Sequence, residues 1–253
     1  MKSTSKTYLI MITAALLTGC AGLTGKVEHA HGSRQWQRKQ AVSADVVVQL
    51  GGNKMIDGTF IFDTSVGKVR AELTDGTTLV FDGKQAWVSP ANAPIKAARF
   101  HVLTWPYFIA APMKLRDPGS NLALLDDGDL FGRSCQRAKL TFSDGVGDAP
   151  DDWYILYVDP ATHWLRAMSY IVTYFESTEN AEKEPHAIVY DDFVNIEGVI
   201  FSRKWTFHHY SEEKGIHGEP MGSARINNIR FITPAENAFV KSADAREDKL
   251  PVH

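Results

Sequence analysis

The sequence has little cysteine, with two in 253 residues, so it does not encode a disulfide-rich scaffold. It also lacks an excess of charge of one sign. Its 27 basic and 30 acidic residues give a formal charge of −3, which argues against a nucleic-acid-binding surface. A hydrophobic content of 44% is ordinary for a globular protein and excludes a disordered or fibrous chain. Length and composition therefore permit one large domain and identify no activity.

Motifs of hydrolases and metal enzymes are absent as well. The chain contains no H-E-x-x-H, G-x-S-x-G or C-x-x-C pattern. His29 and His31 lie close together, but His208 and His209 would point to opposite faces of a strand and could not easily chelate one ion. The acidic stretch 142–152 lacks the spacing of a calcium loop, so a solvated hairpin loop is the favoured interpretation. We expect no catalysis, no metal and no cofactor, and a metal-dependent hydrolase is the weakest of three hypotheses.

The N-terminal region has the features of a signal peptide. Lys2 and Lys6 precede an apolar stretch from Tyr8 to Leu17. That stretch is too short to span a bilayer, which takes about 20 residues, but it suits the core of a signal sequence. It ends in Leu17-Thr18-Gly19-Cys20, which resembles the lipobox of bacterial lipoproteins. The resemblance implies cleavage before Cys20 and lipidation of its thiol. By the enterobacterial sorting rule, Ala21 implies an outer-membrane protein that faces the periplasm.

Strand signals dominate the body of the chain. Residues 68–73 alternate charged and apolar side chains, which is typical of a strand with one solvent-exposed face and one buried face. Asp75-Gly76 and Asp82-Gly83 then predict tight turns. No repeated crossover helices occur, so we predict a mainly β (α+β) fold, a curved antiparallel sheet or incomplete barrel of about ten strands covered by short helices. The predicted strands are 42–50, 68–73, 77–81, 85–89, 137–142, 153–158, 166–175, 187–193, 199–210 and 223–232.

The same patterns predict the organisation of the chain. We expect a lipoprotein signal peptide over residues 1–19, a lipidated tether with a leading helix over 20–40, a single domain over 41–240, and a polar C-terminal tail over 241–253.

One segment departs from the β pattern, because Phe100 to Met113 is apolar almost all round. We predict a short helix with Pro106 in its first turn and Pro112 at its end. A helix this apolar must be buried on most sides, so we expect it to cover the concave face of the sheet.

Two predicted hairpins are similar to those of LolA/LolB-like proteins. They are Asp152 to Leu165, which contains Val158-Asp159-Pro160, and Tyr190 to Val199. The segment Pro106 to Gly119 resembles a subgroup of bacterial lipoproteins without assigned function. The resemblance implies an incomplete antiparallel barrel closed by helices around an apolar cavity. LolA and LolB use that cavity for the acyl chains of lipoproteins.

The favoured hypothesis is a membrane-anchored lipoprotein that binds an acyl lipid or another hydrophobic small molecule without chemistry. Arg203 would meet a carboxylate or phosphate head group, or else reach solvent or pair with an acid. The alternative is a structural or adaptor lipoprotein whose exposed strand edges bind another envelope protein. The expected ligand-binding residues are Trp105, Tyr107, Phe108, Met113, Phe201, Arg203 and Trp205.

Overall fold

A computed structural model describes residues 22–251, which form one antiparallel sheet with short helices packed against it. The expected lipidation site, Cys20, and the signal peptide lie outside the described residues. The helices are α1 (22–30), α2 (Ser33–Trp36), α3 (Ala98–Ala110) and α4 (Thr178–Ala181), and a 3₁₀ turn over Ala111–Met113 follows α3. The strands are β1 (Ala41–Leu50), β2 (Asn53–Asp63), β3 (Val69–Leu73), β4 (Thr78–Phe81), β5 (Ala86–Ser89), β6 (Ser120–Leu130), β7 (Arg133–Phe142), β8 (Tyr154–Val158), β9 (Leu165–Tyr170), β10 (His186–Ile196), β11 (Val199–Ser211), β12 (Gly215–Ile232) and β13 (Arg246–Asp248).

The sheet is open, with the strand order β13-β5-β4-β3-β2-β1-β12-β11-β10-β9-β8-β7-β6. All pairings in the described range are antiparallel, and most join strands that are neighbours in the chain. The exception in the middle of the sheet is β1, which pairs with the long strand β12 and so joins the two halves. The predicted curved antiparallel sheet with short helices is therefore confirmed.

The strand count exceeds the ten predicted, because β2, β6 and β13 carry weak local signals. In β2, Gly58 interrupts the apolar pattern, and it is required there because a Cβ atom would lie 2.4 Å from the carbonyl oxygen of Glu72. Strand β6 is an edge strand with mostly exposed side chains, so it lacks a buried face that would mark it. Strand β13 occurs within the segment expected to be a polar tail, which is a correction to that expectation.

The main core lies between the helices and the inner face of the sheet, meaning the face that α1, α2 and α3 cover. Alternate side chains of β2 and β11, such as Phe60, Phe62 and Phe207, are fully buried on this face. Val27 of α1 and Trp36 of α2 join the same core. The segment 20–40, expected to hold a tether and a leading helix, thus contributes two helices from residue 22 onwards that pack on this core.

Candidate functional site

Helix α3 presents two apolar stripes to different surroundings. Phe100, Leu103, Thr104 and Tyr107 recur at helical spacing and are half-buried. The opposite stripe is buried against the inner face of the sheet, and it contains His101, Val102, Trp105, Phe108 and Ile109. The helix is therefore apolar on two sides, but only one of these sides is fully buried against the sheet.

The core stripe of α3 packs closely on the sheet. The ring of Trp105 lies 6.2 Å from that of Phe207, and the ring of Phe108 lies 6.3 Å from that of Trp205. The Tyr190 hydroxyl donates a hydrogen bond of 3.2 Å to the carbonyl oxygen of Phe108. A pocket near the C-terminal end of this stripe, lined by Phe108, Ile109 and Trp205 among others, holds about 10 Å³, which is about enough for one water molecule. Aromatic side chains therefore pack closely between α3 and the sheet.

The half-buried stripe lines an open cleft of about 270 Å³. This volume is close to the lower end of the ~300–1,000 Å³ range of small-molecule sites. The other walls are the β2–β3 turn, the segment that follows the 3₁₀ turn, the start of β8 and the β7–β8 loop. The lining residues are Ser65, Val66, Phe100, Leu103, Thr104, Tyr107, Phe108, Lys114, Asp117, Ser120, Phe142, Val146, Gly147, Asp148, Ala149, Asp152, Tyr154 and Tyr174.

Two ion pairs fix the rim of the cleft. Lys114 pairs with Asp117, and its Nζ also donates a hydrogen bond of 2.6 Å to the carbonyl oxygen of Ser65. Arg99, at the start of α3, donates through Nε and Nη2 to the two carboxylate oxygens of Asp148. This bidentate pair ties the acidic β7–β8 loop to α3 and so closes one side of the cleft.

A buried carboxylate and two tyrosine hydroxyls supply polar groups inside the cleft. Asp152 Oδ1 accepts hydrogen bonds of 2.7 Å from both the backbone N–H and the hydroxyl of Thr173. Burial nevertheless raises the pKa of the Asp152 carboxyl to about 6, because it outweighs those two hydrogen bonds. Burial also raises the pKa of Tyr107 and Tyr154 above the usual value, so both phenols stay neutral.

The structure separates the predicted site residues into two groups. Tyr107 and Phe108 line the cleft. Trp105, Phe201 and Trp205 instead belong to the filled core, and Met113 packs at the edge of that core. We predicted these residues from their apolar character, which core and cleft share.

Arg203, which we expected either to meet a head group or to reach solvent or pair with an acid, is not among the residues that line the cleft. Its side chain is 45% exposed, and its Nη2 atom lies 2.9 Å from Asp192 Oδ1. Asp192, which lies opposite Arg203, adopts a φ of +52°, and the β10–β11 ladder omits this pair but keeps its register on either side. Arg203 therefore pairs with an acid, which is the other role expected for it.

Four residues that line the cleft were missed by sequence reasoning. Phe100 and Leu103 carry a detectable signal, because Phe100 lies three positions before Leu103, and Leu103 lies four positions before Tyr107. Asp152 stands in the acidic stretch interpreted as a solvated loop, and Tyr154 in a strand. No local pattern indicates that these two residues face α3 across the cleft.

Within residues 22–251, the structure contains no group of three or more His, Cys, Asp or Glu side chains that could hold a metal ion. The ring nitrogens of His31 are both engaged by backbone groups of Ile200 and Leu165.

None of the described helices is long and apolar enough to cross a membrane.

Comparison with known proteins gives the fold a name. No protein-family model matches the sequence, and no curated protein matches it. Among solved structures, a LolA superfamily protein from Nitrosomonas europaea is similar, with a TM-score of 0.56 and 10% identity over 88% of this chain and 97% of that chain. A domain named for outer membrane lipoprotein sorting, from Vibrio parahaemolyticus, has a TM-score of 0.53 and 8% identity over the same shares. This chain therefore has a LolA-like fold.

Proposed function

From this LolA-like fold we propose that the protein binds a lipid or another apolar ligand in the cleft along α3, without catalysing a reaction. The observation that carries the proposal is the half-buried stripe of Phe100, Leu103 and Tyr107, which packs only partly against the core and lines the cleft with its remaining surface. Exposing apolar side chains to water is unfavourable unless a ligand or partner covers them. Close aromatic packing leaves a pocket of only about 10 Å³ between the C-terminal end of α3 and the sheet, so we place the ligand in the larger cleft along the half-buried stripe.

The size and chemistry of the cleft suit a single acyl chain or a compact apolar molecule. Aromatic and aliphatic side chains form its walls, and a few polar groups lie inside it and at its rim. Such a combination is typical of sites in which apolar contacts supply affinity and polar groups fix orientation. One of the two similar structures is named for outer membrane lipoprotein sorting, and the acyl chain of a lipoprotein is a ligand of this class.

We further propose that Cys20 carries the lipid anchor and holds the domain in the bacterial cell envelope, facing the periplasm. Only Ala21 separates Cys20 from Gly22, the first described residue, and two residue steps span about 7 Å at most. The domain would therefore lie directly against its membrane, where an apolar ligand is available.

Binding of the uncharged apolar fluorophore 1-N-phenylnaphthylamine tests the proposal. We expect the wild-type protein to enhance the fluorescence saturably, and Leu103→Asp to weaken binding at least about tenfold because a carboxylate enters the apolar wall. Thr104→Trp should also weaken binding, since its indole fills the cleft without adding charge. Leu124→Asp places the same charge on the exposed strand β6, where Leu124 is 39% exposed, and should leave binding unchanged.

Native mass spectrometry before and after organic extraction gives a second measurement. A lipid-sized mass that disappears on extraction would identify the ligand class. A wild-type protein that neither carries nor takes up an apolar molecule would contradict the proposal. It would favour the adaptor hypothesis, for which the unpaired edge strand β6 with Leu124 and Leu125 is the candidate docking edge.

A further inference from the structure

The cleft has one charged lining group that no opposite charge compensates. Lys114 is paired with Asp117, and Asp148 is paired with Arg99. Asp152 forms no ion pair among residues 22–251. When Asp152 is ionised, these five groups carry a formal charge of −1 together.

Asp152 is also positioned to contact a ligand. Its Oδ1 atom accepts both hydrogen bonds from Thr173, so the carboxylate is held in one orientation. Its Oδ2 atom accepts no hydrogen bond from the part of the chain that the structure describes, and the residue lines the cleft. Asp152 is half-buried, and a carboxylate oxygen that is partly shielded from water gains free energy from a ligand donor that reaches it.

Two hydroxyls in the same cleft have no partner either. Tyr154 is 8% exposed, and its hydroxyl forms no hydrogen bond within the described residues. The Ser120 hydroxyl is buried and likewise without a partner in this range. Hydroxyls can donate or accept, so they orient a polar group without distinguishing its charge. The charge of the cleft therefore depends on Asp152.

We propose that this cleft binds apolar ligands whose polar end is an alcohol or an amine, in preference to carboxylate- or phosphate-ended ligands. The inference rests on the proposed function and adds the class of head group. Two like charges ~6 Å apart, at an effective dielectric constant of ~20, weaken binding by about a hundredfold. An amine or alcohol instead donates to Asp152 Oδ2.

The test is competition against bound 1-N-phenylnaphthylamine at pH 7.5 by dodecylamine, dodecanol and dodecanoate, which share one chain length. In the wild-type protein we expect dodecanoate to bind at least about tenfold more weakly than dodecanol, and dodecylamine to bind at least as tightly as dodecanol. Asp152→Asn should bring dodecanoate to within about threefold of dodecanol and should remove any preference for the amine. The asparagine Oδ1 atom can still accept both hydrogen bonds from Thr173, so the fold is retained.

Asp151→Asn is the matched control, because it removes the same charge from the exposed neighbour, which does not line the cleft. It should leave the order of the three competitors unchanged. Equal binding of dodecanoate and dodecanol by the wild-type protein would overturn the head-group inference and leave the proposed function standing. The same holds if Asp152→Asn preserves the discrimination or Asp151→Asn removes it. Failure of the fluorophore and all three competitors to bind would remove the proposed function and this inference together.

Discussion

At the scale of single residues, His31 links the N-terminal helices to the sheet through both nitrogens of its ring. Nδ1 lies 3.1 Å from the carbonyl oxygen of Ile200, and Nε2 lies 3.0 Å from the backbone nitrogen of Leu165. A carbonyl accepts and an N–H donates, so the ring is neutral with its proton on Nδ1. The approach is close, because a Cβ atom on the neighbouring Gly32 would lie 2.0 Å from the carbonyl oxygen of Gly198.

The buried neutral imidazole predicts a stability that falls in acid. Burial lowers the pKa of His31 to about 4, although the hydrogen bond to Ile200 opposes the shift. The unfolded chain takes up a proton near pH 6.5. Between these values the unfolded state binds more protons, so acid favours unfolding. We expect His31 to account for a loss of about 2 kcal/mol in the free energy of unfolding from pH 7.5 to pH 5.

Urea unfolding of His31→Gln at both pH values measures this contribution. The variant should be less stable than the wild type at pH 7.5, because glutamine cannot make both contacts, and the difference should shrink at pH 5. His29→Gln, on the exposed side of the same segment, is the control and should follow the wild type. An unchanged gap between His31→Gln and the wild type at the two pH values would contradict the assignment.

At the scale of elements, the apolar character of α3 reflects two different surroundings, the sheet on one side and the cleft on the other. Its core stripe packs on the sheet, and its other stripe lines the cleft. Pro106 is the ninth residue of the helix and not part of its first turn, as its sequence position suggested. A proline there removes one helical hydrogen bond. The start of the helix was misplaced because residues 98 and 99 carry no capping signal of their own.

The start of α3 is capped instead by the distant strand β13. The N-cap Ala97 makes no side-chain hydrogen bond, and no acidic residue stands in the first turn. Asp248 Oδ2 accepts a hydrogen bond of 2.9 Å from the backbone N–H of Arg99, the second residue of the helix. A carboxylate at this end also interacts favourably with the helix dipole. The C-terminal segment is thus coupled to the helix that forms the candidate site.

Asp248→Ala should therefore lower the free energy of unfolding by about 1 kcal/mol, the usual contribution of a helix cap. Chemical denaturation at pH 7.5 measures it. Asp248→Asn keeps an acceptor oxygen and should lose less, while Glu236→Ala, at an exposed position before β13, should have little effect. If Asp248→Ala is as stable as the wild type, β13 does not stabilise α3 in this way.

At the scale of the whole molecule, the open sheet has two apolar cores. The main core lies on the inner face, and a second, smaller one lies on the opposite face. Tyr157, Ala187 and Ile216 belong to the second core, to which the β11–β12 hairpin contributes. The sheet is open because its two outermost strands, β6 and β13, do not pair with each other within the described range. The outer edge of β6 is therefore unpaired in this range.

The proposed lipid anchor at Cys20 gives a prediction for where the whole chain is found in the cell. Cys20→Ala should move the protein from the membrane fraction to the soluble fraction, since acylation at the cysteine would supply the anchor. Fractionation of cells followed by immunoblotting measures the change, and Cys135→Ala is the matched control because that thiol is buried in the domain. A Cys20→Ala protein that still sediments with membranes would count against the anchor.

The sequence alone determined the antiparallel architecture, several of its turns and the presence of an apolar helix. These features follow from alternation, turn residues and helical spacing, which depend on near neighbours in the chain. Tertiary structure decided where the site lies. Tyr107 and Trp105 are both aromatic residues of one helix, yet Tyr107 lines the cleft and Trp105 fills the core. Asp152 faces α3 because the β7–β8 loop is held to Arg99 by Asp148, a contact between residues 49 positions apart. Which side of an apolar helix stays open depends on what packs against it, and that is a property of the folded chain.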